Sequence, residues 1–206
     1  MAEPTTGLLL AAREVSRSYD VRGHAVLALR PVSLEVYGGH VLVVTGPSGT
    51  GKSTLVSILA GWDRPTSGTV ARSASTVFVP QRVALLDTLT VIDNIALAAM
   101  DRADQVPALA SALAVDHLLD RFPGETSMGE RQRIGIARAL HAGAAVTLLD
   151  EPTAHQDADH TKLVLDAVAE PPPGCALVIA THDPVVVAVA SVVLHLEAAV
   201  AAIGRP

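Results

Sequence analysis

The sequence predicts an α/β fold with an antiparallel β subdomain at its start and a helical insert in its middle, and three observations carry that expectation. Residues 144–149 and 175–180 are continuous apolar runs, the pattern of parallel strands covered on both faces. Residues 9–17 and 32–36 instead alternate apolar and polar, as half-buried antiparallel strands do. From 90 to about 119 the apolar spacing turns helical, through Val91, Ile95 and Ala98 and then Leu109 and Leu113.

Taken in order, Tyr37-Gly38-Gly39 reads as a hairpin turn into the apolar strand Val41-Leu42-Val43-Val44. A glycine-rich loop follows that strand, and the periodic segment Leu55-Val56-Ser57-Ile58-Leu59 opens a helix that stops at Gly61. Residues 63–68 are polar and rich in Pro and Gly, so they form a loop. Thr76-Val77-Phe78-Val79 is the next strand, ended by Pro80-Gln81. Pro107 breaks the helical stretch, which forms a helical subdomain over about 90–142. Residues 161–168 read as a crossover helix stopped by Pro171-Pro172-Pro173, and 192–197 as a late strand leading into an Ala-rich terminal helix.

With 206 residues, the chain suits one compact domain over 1–206. Half its residues are apolar and 17% are charged, which excludes global disorder. A net charge of -6 and only one Trp, two Tyr and two Phe leave neither a basic stripe nor stacking platforms, so nucleic acid is not expected as a partner. Cys175 stands alone and cannot form an internal disulfide. Residues 1–7 lack the basic start of an export signal. The apolar run 185–203 is long enough to span a membrane on paper, but His195 and Glu197 in its middle favour the strand reading.

The chemistry concentrates in two stretches. Gly46-Pro47-Ser48-Gly49-Thr50-Gly51-Lys52-Ser53-Thr54 fits the phosphate-binding P-loop, with the strand and helix that the motif needs on either side. Gly49 and Gly51 let backbone N–H groups turn inward, and the helix start adds its positive dipole end. A di- or triphosphate is therefore expected there, with Lys52 on the β- and γ-phosphates and the Ser53 hydroxyl on Mg²⁺. The second stretch, Ala145-Val146-Thr147-Leu148-Leu149-Asp150-Glu151-Pro152-Thr153, is a buried strand ending in two carboxylates at the edge where nucleotide crevices lie. Asp150 is expected to hold Mg²⁺, and Glu151 to act as the base that polarises the attacking water.

The order of P-loop, Gln81, Thr126-Ser127-Met128-Gly129-Glu130-Arg131-Gln132-Arg133, Asp150-Glu151 and His182 within Ala180-Thr181-His182-Asp183 resembles the nucleotide-binding subunit of ABC transporters. The resemblance runs from about Tyr19 to about Leu196, and is nearest to the lipoprotein-release and macrolide-export branch. It implies an ATPase on a P-loop NTPase fold, using ATP and Mg²⁺ to drive a separate membrane-spanning subunit. It also implies a cytoplasmic protein, peripheral on the inner face of the cell membrane. Gln81 then touches Mg²⁺, His182 contacts the γ-phosphate, and Tyr19 stacks on adenine. Ser127, Gly129 and Glu130 would meet ATP held by the other chain of a head-to-tail dimer, formed with itself or with a second ATP-binding subunit.

Departures from the family pattern fall on that shared face. Thr126, Met128 and Glu130 replace Leu, Gly and Gln, and Ala154-His155-Gln156 replaces Ser-Ala-Leu before Asp157. Met128 brings a long side chain near where a phosphate would approach, with about 1–2 kcal/mol of strain if it needs a positive φ, and Glu130 adds charge near an anion. Two readings stand: a complete face for its own ATP with an impaired face for its partner's, hence a slow ATPase or a mixed dimer, and tolerated drift in a loop that keeps Ser127 and Gly129. A regulatory ATP switch on a cell-envelope partner uses the same residues. A transition-metal site in His155-Gln156-Asp157-Ala158-Asp159-His160 is a rival reading of that segment.

Overall fold

The computed structural model describes residues 7–197. Strands β1 (Leu8–Val21) and β2 (His24–Tyr37) form a long antiparallel hairpin, and β4 (Ser67–Arg72) pairs with the free edge of β1. Strands β3 (Val41–Thr45), β5 (Thr76–Val79), β6 (Val146–Asp150), β7 (Ala176–Ala180) and β8 (Val192–His195) make a second sheet. Its order is β5-β6-β7-β3-β8 and every neighbouring pair is parallel. The α/β class, the antiparallel start and the parallel core all stand as expected.

Helix α1 (Lys52–Ala60) is clamped between the sheets. Leu55, Val56, Ile58 and Leu59 pack against Leu10, Val15 and Val36 on one side and Leu42, Val44 and Leu148 on the other. A helix buried on two sides needs apolar residues around most of its circumference, which explains why its apolar positions do not form a narrow stripe. The opposite face of the parallel sheet, through Val41, Val43, Leu149, Leu177 and Ile179, buries against the helices of a second core. Successive residues of β3, β6 and β7 thus alternate between two apolar layers, so neither face needs polar side chains.

Between β5 and β6 the chain forms α2 (Val91–Ala96), α3 (Val106–Ala112) and α4 (Met128–Ala142). Pro107 lies in the first turn of α3, where its missing N–H leaves no bond unmade. After β6 come α5 (Ala158–Val168), which crosses back to β7, and the single turn α6 (Pro184–Val187). The run 185–203 is divided between α6 and β8 as far as 197. Among the described residues no helix is long and apolar enough to cross a membrane. The expected terminal helix lies outside the described residues.

Two expectations need correction. The hairpin turn is not Tyr37-Gly38-Gly39 but Arg22-Gly23, at φ 55° and 82°, with Gly23 N–H donating to Asp20 Oδ1 at 2.8 Å. Gly38-Gly39 carries the chain from one sheet to the other, where a Cβ on Gly38 would stand 3.1 Å from Gly174 Cα. Strand β4, which starts in the last two residues of the polar loop and runs beyond it, was not foreseen, because five of its six residues are exposed and no alternation shows.

The segment after Gln81 is pinned by Asn94, which is fully buried. Its side chain accepts from Leu86 N and donates to the carbonyls of Leu86, Leu89 and Thr90 at 2.8–3.1 Å. Removing it leaves Leu86 N and Leu89 O unpaired, while the carbonyls of Leu86 and Thr90 keep the N–H groups of Leu89 and Asn94. Asn94→Ala is expected to lower unfolding stability by about 2–4 kcal/mol, read from urea denaturation.

Candidate functional site

The carboxyl ends of β3, β6 and β7 and the start of α1 meet around one cavity of about 560 Å³. Ser48, Gly49, Gly51, Lys52, Ser53 and Thr54 line its floor, Glu151 and His182 one wall, and Gln81 its edge. Gly51 caps α1 at φ 94°, and a Cβ there would lie 2.3 Å from Ala28 O, so only glycine lets the loop pass under the β2 backbone. Lys52 opens the helix with its ammonium folded back over the loop, donating to Gly46 O at 2.8 Å and Pro47 O at 3.2 Å. Those bonds fix a positive charge at the cavity floor.

Ser53 sits one residue further along the first turn, and its hydroxyl donates to Asp150 Oδ1 at 2.9 Å. Asp150 ends β6 and is 5% exposed. Burial raises its carboxyl above the usual range; the Ser53 bond and Lys52 oppose that rise, and the neighbouring Glu151 adds to it. A buried carboxylate beside a hydroxyl, with an amide side chain at the cavity edge, is a hard-oxygen donor set. The penalty on its charge is one that a cation relieves, so these residues fit Mg²⁺.

Glu151 follows at φ 48°, a left-handed backbone that costs a non-glycine residue about 1 kcal/mol or more. Its N–H donates to Ala180 O at 2.8 Å, carrying the β6–β7 ladder one residue further. Its carboxylate accepts on Oε2 from the Thr181 hydroxyl at 3.0 Å and on Oε1 from His182 Nδ1 at 2.8 Å. Against a carboxylate oxygen, which only accepts, Nδ1 is the donor. Glu151 is buried while the His182 side chain is 72% exposed.

Several expected site residues stand elsewhere. Gly46 shapes the loop from behind, at φ 143°, and the Thr50 hydroxyl turns inward to Pro47 O at 3.0 Å. Tyr19 lies outside the lining residues, its hydroxyl bonded to Asp63 Oδ2 at 2.6 Å. Ser127, Gly129 and Glu130 line a separate cavity with His117, His155 and Asp157. Met128 is the first helical residue of α4 and has no positive φ, so the strain considered for it is absent. Glu130 closes a capping box: Ser127 N–H donates to its Oε2 at 2.7 Å, and its own N–H donates to Ser127 Oγ at 3.3 Å. That bond to Ser127 N–H, with Arg133 and His117 nearby, holds the Glu130 carboxyl below its usual range against the opposing effect of burial. The charge that looked misplaced is thus spent on the helix start.

Gln156 ties the two altered pieces together, accepting from Arg133 at 2.7 Å and donating to Gly129 O at 2.9 Å. The metal reading of residues 155–160 finds no support, since Asp157 caps α5 and accepts from His160 N and Nδ1, both at 2.8 Å. Among the described residues no group of three or more His, Cys, Asp and Glu side chains could hold a metal. Sequence reasoning missed Val26, Leu27, Ala28 and Ala154 in the cavity wall. The exposed apolar pair Val26-Leu27 on β2 is the signal that could have found them.

Comparison with known proteins agrees with this geometry. The sequence pattern described as "ABC transporter" matches residues 29–154. The chain is 37% identical to the lipoprotein-releasing system ATP-binding protein LolD of Bordetella pertussis, over 96% of this chain and 97% of that protein. It is 33% identical to the macrolide export ATP-binding/permease protein MacB of Salmonella choleraesuis, covering 92% of this chain but only 33% of that protein. In fold it is similar to the dimeric ATP-binding cassette MJ0796 bound to ADP and Pi, with a TM-score of 0.84 and 24% identity over 92% of this chain and 94% of that one. The P-loop, the carboxylate pair at the end of β6 and the extent of these matches make this chain a member of the ABC transporter family.

Proposed function

We propose that this chain is the ATP-binding and ATP-hydrolysing subunit of an ABC transporter, working with a separate membrane subunit. ABC transporter ATP-binding domains hydrolyse ATP. The observation that carries the reading is the meeting, across one cavity, of Lys52 and Ser53 from α1 with Glu151 and His182 from the ends of β6 and β7, with Asp150 buried behind the lining and joined to it by the Ser53 hydroxyl. The loop N–H groups and Lys52 receive the phosphate tail. Ser53 and Asp150, with Gln81 at the edge, would hold Mg²⁺, which supplies neutralisation of phosphate charge when bound.

Glu151 acts as the base. Thr181 and His182 donate to its two oxygens and fix its plane, and free lone pairs remain to accept a proton from a water facing the γ-phosphorus. As that proton moves to Glu151, the water oxygen bonds to phosphorus and the bond to the bridging oxygen breaks, giving ADP and phosphate. His182, exposed beside it, is suited to contact the γ-phosphate through the same cavity.

Ser127 and Gly129 stand apart from this chain's own cavity, which supports a head-to-tail dimer in which they serve ATP held by the other chain. The partner is a second copy or a second ATP-binding chain. The helical φ of Met128 removes the backbone-strain objection, and Glu130 has a structural role as a helix cap, which supports a working face; the exposed Met128 side chain and the Glu130 charge stay on it. The name of LolD, an ATP-binding protein of a releasing system, and of MacB, an ATP-binding/permease protein, support a membrane-spanning partner and a peripheral place on the inner face of the membrane.

Three outcomes test the reading. Lys52→Ala is expected to abolish ATP binding in calorimetry with Mg²⁺. Glu151→Gln is expected to keep binding and lower phosphate release by about 10²- to 10⁴-fold. Affinity capture of the chain from detergent-solubilised membranes is expected to bring down a protein with several spanning helices. Brisk turnover by Glu151→Gln would remove the base assignment.

A further inference from the structure

Beside the cavity-lining stretch of β2, three side chains from β1 and the loop after α1 close on one another. Tyr19 donates its hydroxyl to Asp63 Oδ2 at 2.6 Å. Arg17 donates to the same oxygen from Nε at 3.1 Å, and to Oδ1 from a terminal nitrogen at 2.8 Å. The guanidinium carbon lies 4.4 Å from the Tyr19 ring centroid, within cation–π range. Burial opposes ionisation of Asp63, yet the Tyr19 hydroxyl, the Arg64 N–H and Arg17 together hold its carboxyl below the usual range.

The position of this network matters as much as its bonding. Tyr19 on β1 is the antiparallel partner of Val26 on β2, and opposed residues in such a pair share a face of the sheet. Val26 lines the cavity, in the apolar stretch Val26-Leu27-Ala28 opposite the phosphate loop. Tyr19 therefore stands beside this apolar stretch of the cavity wall, just outside the lining residues, and keeps 38% of its surface exposed. Asp63 comes from the loop after α1, the helix whose first turn carries Lys52 and Ser53. A single contact network thus links the apolar rim to the element that grips the phosphates.

We infer that Arg17 and Asp63 are positioning residues for base recognition, holding the Tyr19 ring as the surface on which the purine of the bound nucleotide stacks. The inference rests on the nucleotide reading of the cavity. A tyrosine near the tip of a long ribbon has two free torsions, and ordering it on binding costs affinity. Here the hydroxyl bond and the guanidinium over one face fix the ring beforehand and leave the other face for the base. The plainer alternative is a staple between β1 and the loop after α1, which would support the phosphate site without touching the base.

Calorimetry on the full chain with Mg²⁺ separates these readings by comparing ATP with inorganic triphosphate, which has the tail and no base. Tyr19→Leu is expected to weaken ATP about fivefold or more. Tyr19→Phe and Asp63→Ala are expected to weaken ATP by about threefold to tenfold, while triphosphate affinity stays within about twofold in every variant. Tyr19→Phe removes one exposed oxygen and carries the test even where Asp63→Ala folds poorly. Equal losses for both ligands, or unchanged ATP affinity, overturn the inference. Absence of triphosphate binding in the unaltered chain overturns the nucleotide reading first, so the two failures are distinct.

Discussion

The hydrogen bond from Ser53 to Asp150 joins the two halves of the site, and the rest of the structure serves to bring its partners within reach. They are 97 residues apart in sequence. Ser53 can be where it is only because α1 is clamped between two sheets, with Leu55, Val56, Ile58 and Leu59 buried against both. Asp150 can be where it is only because β6 is a central strand, paired on both sides and covered on both faces. Two apolar layers, each insensitive to chemistry, thus position one hydroxyl and one carboxylate to within 3 Å.

What could be read from the chain follows from where local and global demands coincide. The P-loop, its flanking strand and helix and the Asp150-Glu151 pair were legible because each needs a particular residue at a fixed spacing. The parallel strands were legible because double burial forces apolar runs. The hairpin turn was misplaced because Tyr37-Gly38-Gly39 and Arg22-Gly23 both carry turn residues. What decides between them is which strands pair, a long-range matter that no local window contains. Strand β4 was hidden because it satisfies an edge with exposed residues and a single half-buried one, Val70.

The signature loop shows a different limit. Met128 and Glu130 read as damage when judged by residue type, since a side chain replaces a glycine and a charge replaces an amide. Within the fold, the same residues make a regular helix start, and the carboxylate satisfies a backbone N–H that would otherwise be orphaned. Substitution judged against a pattern measures distance from that pattern. Only the backbone angles and bonding partners show whether the distance is costly. Tyr19 makes the converse point: the residue type suits a stacking role, but its hydroxyl is bound outside the cavity, and its two partners came from positions the pattern did not mark.

The buried carboxyl of Asp150 ties stability to ligand state. Its pKa is raised in the folded chain, chiefly by burial, so ionising it works against the fold. Its contribution to stability is full below the unfolded pKa and is lost as pH rises through the folded value. Near neutral pH the empty site therefore carries a penalty that Ser53 and Lys52 only partly offset. A cation or the positive loop gathered around a phosphate favours the charged form and removes that penalty, and whatever removes it is bound more tightly by the folded chain for that reason. Glu151, one residue on, bears a strained φ in the same place. The end of β6 is thus the least comfortable part of a well-packed sheet, and the ligand that relieves it is the one on which its two carboxylates act.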